Sequence, residues 1–312
     1  MTAVAIEGVT KTFRQFVAVD DLSLQVPPGS IYGFIGPNGS GKTTTLRMIM
    51  RILYPDRGVI RVLDEALHGE DARESILDRV GYLPEERGLY KQMKVRDVLR
   101  FYAELKGFRK SGPAIDAWLE RLELAAWANK KVEALSKGMA QKVQFIATVI
   151  ARAELILLDE PFSGLDPVNT EVFRKEILNL RRDGATIIFS THDMSVAEKL
   201  CDFIFMIHKG RKVLDGTLES IQDAYGSDTL RVHLDGPAHL DDLPGVVKVT
   251  DLGRWQELRL APKADSQEIL ACLMRRGQVR HFELTRPTLH DIFVRIAQPG
   301  TEATAAEDQV HA

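Results

Sequence analysis

The sequence predicts an α/β fold, with a core built on a largely parallel sheet and a small α+β domain after it. The first observation is an apolar strand, Ile31–Ile35, that enters a glycine-rich loop with a helical segment behind it. The second is an alternation of short apolar strands with helical segments up to about residue 207, which is typical of a parallel sheet. The third is a change near residue 228 to strands separated by Gly and Pro turns.

Hydrophobic spacing places the elements of the first predicted domain, residues 1–226. Apolar residues that alternate with polar ones, or that form short runs, predict strands, whereas apolar residues three and four apart predict helices. Helical spacing dominates from about residue 89 to 135, which predicts a helical subdomain. In chain order, we predict strands at Val4–Ile6, Val17–Val19, Leu22–Val26, Ile31–Ile35, Leu155–Leu158, Thr186–Phe189 and Phe203–Ile207, and helices at Thr43–Tyr54, from Lys94 through Leu105, and at Ile115–Leu124, Asn169–Arg182 and Ser195–Leu200.

The remainder of the chain is predicted to hold a small α+β domain, residues 227–297, and a tail. Residues 298–312 are rich in Ala, Glu and Thr, so we expect this tail to be disordered. The strands of the small domain are predicted at Leu230–Leu234, Val246–Thr250, Glu257–Leu260 and Val279–Leu284, with helices at Ser266–Arg276 and from Pro287 onward.

Composition excludes several classes of protein. The 312 residues are 45% hydrophobic and 27% charged, a globular balance that excludes a wholly disordered or fibrous chain. The net charge of -3 comes from the acidic tail, and the neutral remainder argues against a dedicated nucleic-acid binder. Cys201 and Cys272 are too few for a disulfide framework, so a reducing, cytosolic compartment is expected. With no signal peptide and no apolar run near the roughly 18 residues of a membrane span, we expect a soluble chain.

Residues 36–43, Gly-Pro-Asn-Gly-Ser-Gly-Lys-Thr, match the phosphate-loop pattern G-x-x-x-x-G-K-[ST]. In such a loop the inward backbone amides and the helix N-terminus form an anion site for a nucleotide β-phosphate. Lys42 is expected to reach the β- and γ-phosphates, and the Thr43 hydroxyl to ligate Mg²⁺. The match lies between a predicted strand and a predicted helix, as this mechanism requires, which argues against chance.

A second chemical feature is the apolar strand Leu155–Leu158, which ends in Asp159 and Glu160. Asp159 can hold Mg²⁺ beside the phosphate loop, directly or through water. Glu160 can orient and polarise the attacking water as a general base. Alone, the pattern is equally a buried strand that meets a solvated acidic turn, and the upstream phosphate loop favours the nucleotide interpretation.

Two further segments gain meaning only beside these motifs. Ser136 suits the N-cap of the helix that follows it, and with Gly138 it suits a second anion-binding surface, although alone it is only a capped helix start. His192 follows the strand Thr186–Phe189. A lone histidine after a strand is usually structural, but behind the other motifs it is a candidate γ-phosphate sensor.

In this order the motifs resemble those of the nucleotide-binding subunit of an ABC transporter, over about residues 3–225. The resemblance implies the ABC ATPase type of P-loop NTPase fold, with ATP and Mg²⁺ as cofactors. It also implies a dimer in which each ATP lies between the phosphate loop of one subunit and the signature of the other. The matching segments are the phosphate loop Gly36–Thr43, the Q-loop region Gly81–Glu85, the signature Leu135–Met139, the Walker B strand Leu155–Asp159 with Glu160, the D-loop Ser163–Asp166 and the switch histidine His192.

The same resemblance implies roles for individual residues. It implies catalytic roles for Glu160, His192 and Lys42, and a D-loop role for Asp166. The implied ATP contacts are Phe13, which stacks on adenine, and Gly36, Pro37, Asn38, Gly39, Ser40, Gly41, Lys42, Thr43 and Thr44; the implied Mg²⁺ ligands are Thr43, Asp159 and Glu85; and the implied contacts with the partner's ATP are Ser136, Lys137, Gly138 and Met139.

Two motifs depart from the family pattern. Lys137 and Met139 replace the third and fifth residues of the usual Leu-Ser-Gly-Gly-Gln signature. Because Ser136 and Gly138 remain, we expect function with an altered interface. Glu85 replaces the Q-loop glutamine; its carboxylate can still ligate Mg²⁺, but it adds negative charge near phosphates.

Segments outside the main motifs indicate a subfamily. Residues 81–90, Gly-Tyr-Leu-Pro-Glu-Glu-Arg-Gly-Leu-Tyr, together with the signature, resemble the ABC-2-type exporter ATPases, which include sodium-efflux subunits. Residues 286–293, Arg-Pro-Thr-Leu-His-Asp-Ile-Phe, resemble the small accessory domain of many of those ATPases.

We therefore expect an ATPase that drives export through a separate membrane permease, at the cytoplasmic face of the membrane. The expected partners are a second copy of the subunit and the permease, and we expect no nucleic-acid partner. About residues 89–133 are expected to contact the permease.

One alternative is a soluble ABC ATPase of DNA repair or translation. Repair members need long coiled-coil arms, but about 95 residues without sustained heptads separate the phosphate loop from the signature. Translation members carry two nucleotide-binding domains in one chain, and this chain has one phosphate loop. A regulatory switch with little turnover is a third class, which Glu160 beside Asp159 disfavours.

Overall fold

The computed structural model describes residues 2–67, 74–86, 88–226, 229–235, 240–262 and 264–297. The chain divides into two compact units, the first ending at Thr217 and the second beginning at Leu218. The sequence predicts this boundary later, after residue 226. The observed boundary comes earlier because the helix Leu218–Ala224 belongs to the second unit. The predicted tail, residues 298–312, lies outside the described residues.

The first unit holds the predicted strands and helices and several that hydrophobic spacing does not predict. The unpredicted elements include the three strands between the first and second helices and the strand that ends the unit. The strands are β1 (Val4–Phe13), β2 (Phe16–Val26), β3 (Ile31–Ile35), β4 (Arg57–Val62), β5 (Glu65–Ala66), β6 (Val80–Leu83), β7 (Leu155–Asp159), β8 (Thr186–Thr191), β9 (Phe203–His208) and β10 (Arg211–Gly216), and the helices are α1 (Lys42–Ile49), α2 (Val95–Leu105), α3 (Gly112–Arg121), α4 (Lys137–Val149), α5 (Pro167–Arg182) and α6 (Met194–Leu200).

A six-stranded sheet forms the centre of the first unit, in the order β10-β9-β3-β8-β7-β6. Its strands pair in parallel from β9 to β6, and β10 joins antiparallel to β9. The predicted largely parallel sheet is confirmed. Because the carboxyl ends of parallel strands meet at one edge of a sheet, the loops after β3, β7 and β8 lie side by side. The predicted phosphate loop, the acidic pair and His192 follow these three strands.

A second sheet of the first unit, in the order β2-β1-β4-β5, is antiparallel and is not predicted from the sequence. Strands β1 and β2 form a long hairpin that turns at Arg14, whose φ of 54° is left-handed. Register shifts interrupt the pairing between Ile6 and Thr12. They break the alternation of apolar and polar residues, so spacing predicts only fragments of both strands.

The central sheet is buried on both faces. Along β7, Leu155 and Leu157 pack into the same hydrophobic cluster as Phe34, whereas Ile156 and Leu158 pack into the cluster that contains the helical subdomain. A strand buried on both faces is apolar at successive positions. Its sequence is therefore a continuous apolar run, which explains why β7 was predictable.

The helical subdomain packs on the core through α4 and α5. Trp118 of α3 meets Phe145 of α4 edge to face, with 6.1 Å between ring centroids, and Phe145 meets Phe173 of α5 at 4.8 Å. Beside this aromatic row, Arg121 forms an ion pair with the buried Glu176 of α5, and its guanidinium lies 4.2 Å from the centroid of the Trp118 ring. The row and the ion pair join the three helices.

The second unit is the predicted small α+β domain. Its elements are α7 (Leu218–Ala224), β11 (Thr229–Asp235), β12 (Val246–Asp251), β13 (Gln256–Leu260), α8 (Ser266–Arg276), β14 (Gln278–Thr285) and α9 (Leu289–Ala297). The four strands form an antiparallel sheet in the order β12-β13-β11-β14. Helix α8 contributes Ile269 and Leu273 to a core that includes Leu230, Val232 and Leu258. In the part of the chain that the structure describes, no helix is long and apolar enough to cross a membrane.

Replacing Arg121 by methionine should destabilise the first unit, because the buried carboxylate of Glu176 would lose its partner. We expect the free energy of unfolding in urea to fall by about 1–3 kcal/mol. The matched control is Arg174→Met, which removes the exposed pair of Arg174 with Glu171 and should leave stability nearly unchanged. Equal losses in the two variants would contradict a special role for the buried pair.

A chain that ends at Thr217 should fold and keep the nucleotide site, because the phosphate loop, the acidic pair and His192 all lie in the first unit. Circular dichroism would test folding, and titration with a fluorescent ATP analogue would test binding. A folded truncated chain that binds no nucleotide would show that the second unit is needed for the site.

Candidate functional site

The predicted phosphate loop connects β3 to α1, and its backbone requires glycine. Gly36 and Gly41 have φ angles of 153° and 114°, which residues with a side chain rarely adopt. A Cβ atom on Gly36 would lie 2.2 Å from the carbonyl oxygen of Ile207, and one on Gly41 would lie 2.6 Å from that of Ala18. The loop therefore follows this path only with glycine at both positions. The other predicted ATP contacts of this segment, Pro37, Asn38, Gly39, Ser40 and Thr44, complete the loop and the first turn of α1.

Lys42 is the first residue of α1, and its ammonium is buried against its own loop. Nζ donates to the carbonyl oxygens of Gly36 at 2.7 Å and of Pro37 at 3.1 Å, and lies 3.8 Å from Oε1 of Glu160. Burial lowers the pKa of Lys42, and the nearby carboxylates of Glu160 and Asp159 oppose that shift. A phosphate in the loop would give this buried cation an anionic partner.

Ser190 lies near the end of β8, and its hydroxyl forms hydrogen bonds with both predicted acids. It donates to Oδ1 of Asp159 at 2.6 Å and accepts the N–H of Glu160 at 2.9 Å. The hydroxyl of Thr43 donates to the same Asp159 oxygen at 3.1 Å. Ser190 is not among the residues predicted from the sequence. The available signal was its position near the end of a strand, two residues before His192.

Asp159 has one carboxylate oxygen left for a ligand. Its Oδ2 is buried without a hydrogen-bond partner among the described residues, and the same holds for the hydroxyl of Ser40 in the phosphate loop. Burial, together with the charge of Asp159, raises the pKa of the neighbouring Tyr82 to about 12. No group of three or more His, Cys, Asp or Glu side chains in the described ranges could hold a metal ion by itself. This donor set fits Mg²⁺, which takes one or two protein oxygens and fills its shell with phosphate and water.

Glu160 is buried and has an uncommon backbone conformation. Its φ of 48° lies in the left-handed region, and the bond from its N–H to Ser190 holds that turn. Nδ1 of His192 lies 3.1 Å from both carboxylate oxygens, although the His192 side chain is 58% exposed. With Lys42 at 3.8 Å, the carboxylate lies between an ammonium and an imidazole. The structure therefore brings together the three residues that the sequence predicts to be catalytic.

The signature and the D-loop contact each other within one chain. Ser136 caps α4 as predicted, and its hydroxyl accepts the N–H of Met139 at 3.3 Å. Asp166 caps α5 by accepting the N–H of Asn169 at 2.9 Å, a bond that lowers the pKa of Asp166. A Cβ atom on Gly138 would lie 3.9 Å from Nδ2 of Asn169. The first turns of α4 and α5 are therefore neighbours.

A cleft beside Glu160 contains further predicted residues. The buried Gln144 holds the Q-loop, since its Nε2 donates to the carbonyl oxygens of Glu86 at 3.3 Å and of Pro84 at 3.4 Å. Glu85 is exposed, and within the described ranges no hydrogen bond joins it to Thr43 or Asp159. Thr43 and Asp159, two of the three predicted Mg²⁺ ligands, are hydrogen-bonded to each other. Glu85 lines the same cleft as Glu160, its charge opposes the lowering of the Lys42 pKa, and its contact with Mg²⁺ stays a prediction. The residues that line the cleft are Glu85, Glu86, Lys137, Gln141, Glu160 and Ser163.

Phe13 lies at the end of β1, beside the hairpin turn. Its side chain is 43% exposed, and Nζ of Lys11 lies 5.6 Å from the ring centroid. The exposed ring is available for stacking, and its contact with adenine stays a prediction.

Comparison with known proteins identifies the family. The model of the ABC transporter family matches residues 19–163, and a model of the C-terminal domain of DrrA1-3-like ATP-binding proteins matches residues 216–297. Over 297 residues, the chain is 43% identical to the ABC transporter ATP-binding protein YhaQ of Bacillus subtilis, covering 93% of this chain and 96% of YhaQ. The chain belongs to the ABC transporter ATP-binding family.

Further similarities agree with this assignment of the ABC ATPase. This chain is 32% identical over 301 residues to the Nod factor export ATP-binding protein I of Paraburkholderia xenovorans, covering 94% of this chain and 96% of that protein. A solved structure of an ATP-binding subunit of an ABC transporter has a TM-score of 0.67 and 29% identity, over 72% of this chain and 94% of that chain. The resemblance to ABC-2-type exporter subunits is confirmed. The chain is an ATP-binding ATPase of the transporter type, and the soluble alternative is not favoured.

Replacing Glu85 by glutamine should preserve ATP binding and keep turnover within about tenfold of the unchanged protein, a barrier change of about 1.4 kcal/mol. The reason is that Glu85 is exposed and that glutamine keeps a carbonyl oxygen at the same position. Glu86→Gln, on the same loop and in the same cleft, is the matched control. Complete loss of ATP hydrolysis in Glu85→Gln alone would show that the Glu85 carboxylate is essential for the chemistry.

Proposed function

We propose that this ABC ATPase hydrolyses MgATP in a homodimer and couples hydrolysis to export through a separate membrane permease, at the cytoplasmic face of the membrane. The observation that carries the proposal is the position of the Glu160 carboxylate. Lys42 lies 3.8 Å from it and His192 lies 3.1 Å from it. An acid held beside a phosphate loop in this way is placed to act on the water that attacks the γ-phosphate.

Thr43 and Asp159 are the proposed protein ligands of Mg²⁺. Ser190 and Thr43 both donate to Oδ1 of Asp159, which fixes the carboxylate and leaves Oδ2 without a partner in the described residues. When bound, Mg²⁺ would neutralise negative charge on the transferring phosphate. Glu85, in the same cleft as Glu160, is the third proposed ligand.

Glu160 is the proposed general base. Its carboxylate would accept a proton from the attacking water, while Nδ1 of His192 keeps the carboxylate oriented. The exposed part of the His192 ring remains accessible to the γ-phosphate. Lys42 would exchange its bonds with the loop carbonyls for bonds with the β- and γ-phosphates. Burial favours that exchange, because an ammonium away from water is stabilised most by an anionic partner.

The proposed dimer would complete the nucleotide site. Ser136 is exposed, and its hydroxyl bonds only its own helix among the described contacts. A second copy would bring its Ser136 and Gly138 to the ATP held by this subunit's phosphate loop. The resemblance of the motifs to the ABC family supports this arrangement.

The proposed contact with the permease is formed by about residues 89–133. Tyr90 is 53% exposed and Leu105 is 62% exposed, and Tyr90 meets Phe101 edge to face at 5.5 Å. Large apolar side chains at a surface favour contact with another protein. The direction of transport is proposed from relatives such as the one named for Nod factor export.

The variant Glu160→Gln tests the general base most directly, because glutamine keeps the shape of the side chain but cannot accept the proton of water. We expect hydrolysis to fall by roughly 10²–10⁴-fold. ATP binding should persist, since Lys42, Thr43 and Asp159 are unchanged. Because ATP is then not consumed, size-exclusion chromatography with MgATP should show a stable dimer that is weak or transient in the unchanged protein.

The control adds Ser136→Arg to Glu160→Gln, which places bulk and charge at the partner's phosphate site. This double variant should bind ATP as a monomer. Hydrolysis by Glu160→Gln at the unchanged rate would end the assignment of the general base, and an ATP-dependent dimer in the double variant would contradict the proposed pairing.

A further inference from the structure

Tyr82 carries a hydroxyl that the fold buries without a hydrogen bond. Tyr82 lies on β6 opposite Leu157 of β7, and its ring packs against the hydrophobic cluster that contains Leu157 and the apolar face of α1. Within the part of the chain that the structure describes, its hydroxyl oxygen is buried and has no hydrogen-bond partner. A hydroxyl taken out of water costs free energy unless a protein group, a bound water or an ion completes its bonds.

Asp159 lies on the same face of the sheet, beside this hydroxyl. Residues two apart on a strand point to one face, so Asp159 follows Leu157 on the side of Tyr82. The charge of Asp159 contributes to the raised pKa of Tyr82, which requires the two side chains to be close. Oδ1 of Asp159 accepts bonds from Thr43 and Ser190, whereas Oδ2 is buried without a partner in the described residues. Two unpaired oxygens, Oδ2 of Asp159 and the hydroxyl oxygen of Tyr82, are therefore neighbours.

Helix α1 turns one face toward this pair of oxygens. Thr43 and Arg47 are four residues apart, so they lie on the same face of α1. Thr43 donates to Asp159 at 3.1 Å, and the charge of Arg47 acts against the rise in the pKa of Tyr82. The two unpaired oxygens thus lie beside the residues proposed to hold Mg²⁺, and not in a remote part of the core.

We propose that Tyr82 is a positioning residue for Mg²⁺, and that its hydroxyl oxygen accepts a hydrogen bond from a water bound to the ion. The inference rests on the proposed Mg²⁺ site of Thr43 and Asp159. Mg²⁺ keeps several waters when it binds a protein. A lone pair of such a water faces the cation, so the water has two protons to donate and needs two acceptors. Oδ2 of Asp159 and the hydroxyl oxygen of Tyr82 are two neighbouring acceptors that no described protein group occupies.

The test compares nucleotide binding with and without the metal. A fluorescent ADP analogue is titrated into the full chain in MgCl₂ and, separately, in EDTA. ADP is the probe because its terminal phosphate is not the one that the ATPase removes, so each titration reaches equilibrium. The ratio of the two dissociation constants measures how strongly the metal contributes to binding.

The test variant Tyr82→Phe keeps the ring in the hydrophobic cluster and removes only the hydroxyl. The matched control is Tyr32→Phe, which removes another hydroxyl from a tyrosine of the same cluster. The hydroxyl of Tyr32 bonds Asp215, and Tyr32 lies near the end of β3 that is away from the phosphate loop. Thermal melting of the nucleotide-free proteins measures the stability of each variant.

We expect Tyr82→Phe to weaken binding of the ADP analogue in MgCl₂ by about three- to tenfold, the effect of losing one water-mediated hydrogen bond. Binding in EDTA should stay within about twofold, and the nucleotide-free variant should lose no stability, because the hydroxyl has no partner there to lose. Tyr32→Phe should do the reverse: its melting temperature should fall, and its ratio of dissociation constants should not change.

Two results would overturn the role of Tyr82 and leave the metal site standing. One is an unchanged ratio in Tyr82→Phe although Asp159→Asn abolishes the effect of the metal. The other is an equal loss of binding in MgCl₂ and in EDTA together with a lower melting temperature, which would make the hydroxyl a structural group. If MgCl₂ does not strengthen binding in the unchanged protein, the proposed site of Thr43 and Asp159 fails, and the role of Tyr82 fails with it.

Discussion

The candidate site depends on the two hydrogen bonds of the Ser190 hydroxyl. This hydroxyl donates to Asp159 and accepts from the backbone of Glu160, so one buried side chain fixes both acids. Asp159 and Ser190 are register partners in the parallel pair of β7 and β8. A slip of one residue would turn Ser190 to the opposite face of the sheet and release both acids. The chemistry of the site is therefore a consequence of strand register.

The same register brings the phosphate loop to these acids. Ile35, the last residue of β3, pairs with Thr191, the last residue of β8. Gly36 and His192 therefore leave the sheet at the same level, on adjacent strands. The packing then places Lys42 and His192 on either side of one buried carboxylate. Burial lowers the pKa of Lys42, and the Glu160 charge opposes that shift, so the two charges compensate each other before any phosphate enters.

Features that depend on local sequence could be predicted, and features that depend on distant partners could not. The phosphate loop, the acidic pair and His192 each follow an apolar strand, and that pattern is visible in a few residues. Ser190 is a common residue whose role comes from atoms 30 residues away. The irregular β1–β2 hairpin and the limit of the first unit at Thr217 likewise depend on pairing and packing, which hydrophobic spacing does not report. Glu85 occupies a family position and lines the same cleft as Glu160, but whether it ligates Mg²⁺ stays a prediction.

Packing among three helices links the proposed surfaces to the site. Trp118, Phe145 and Phe173 join α3, α4 and α5 in one aromatic row, and the Arg121–Glu176 ion pair adds a second connection from α3 to α5. Helix α4 begins at the signature and α5 begins at the D-loop, which leads back along the chain to Glu160. A well-packed cluster transmits displacement because it has few empty spaces to absorb it. A permease that moved the helical subdomain would therefore move the signature and the D-loop together. The proposed general base, Glu160, would respond to the same displacement as the signature residues proposed to hold the partner's ATP.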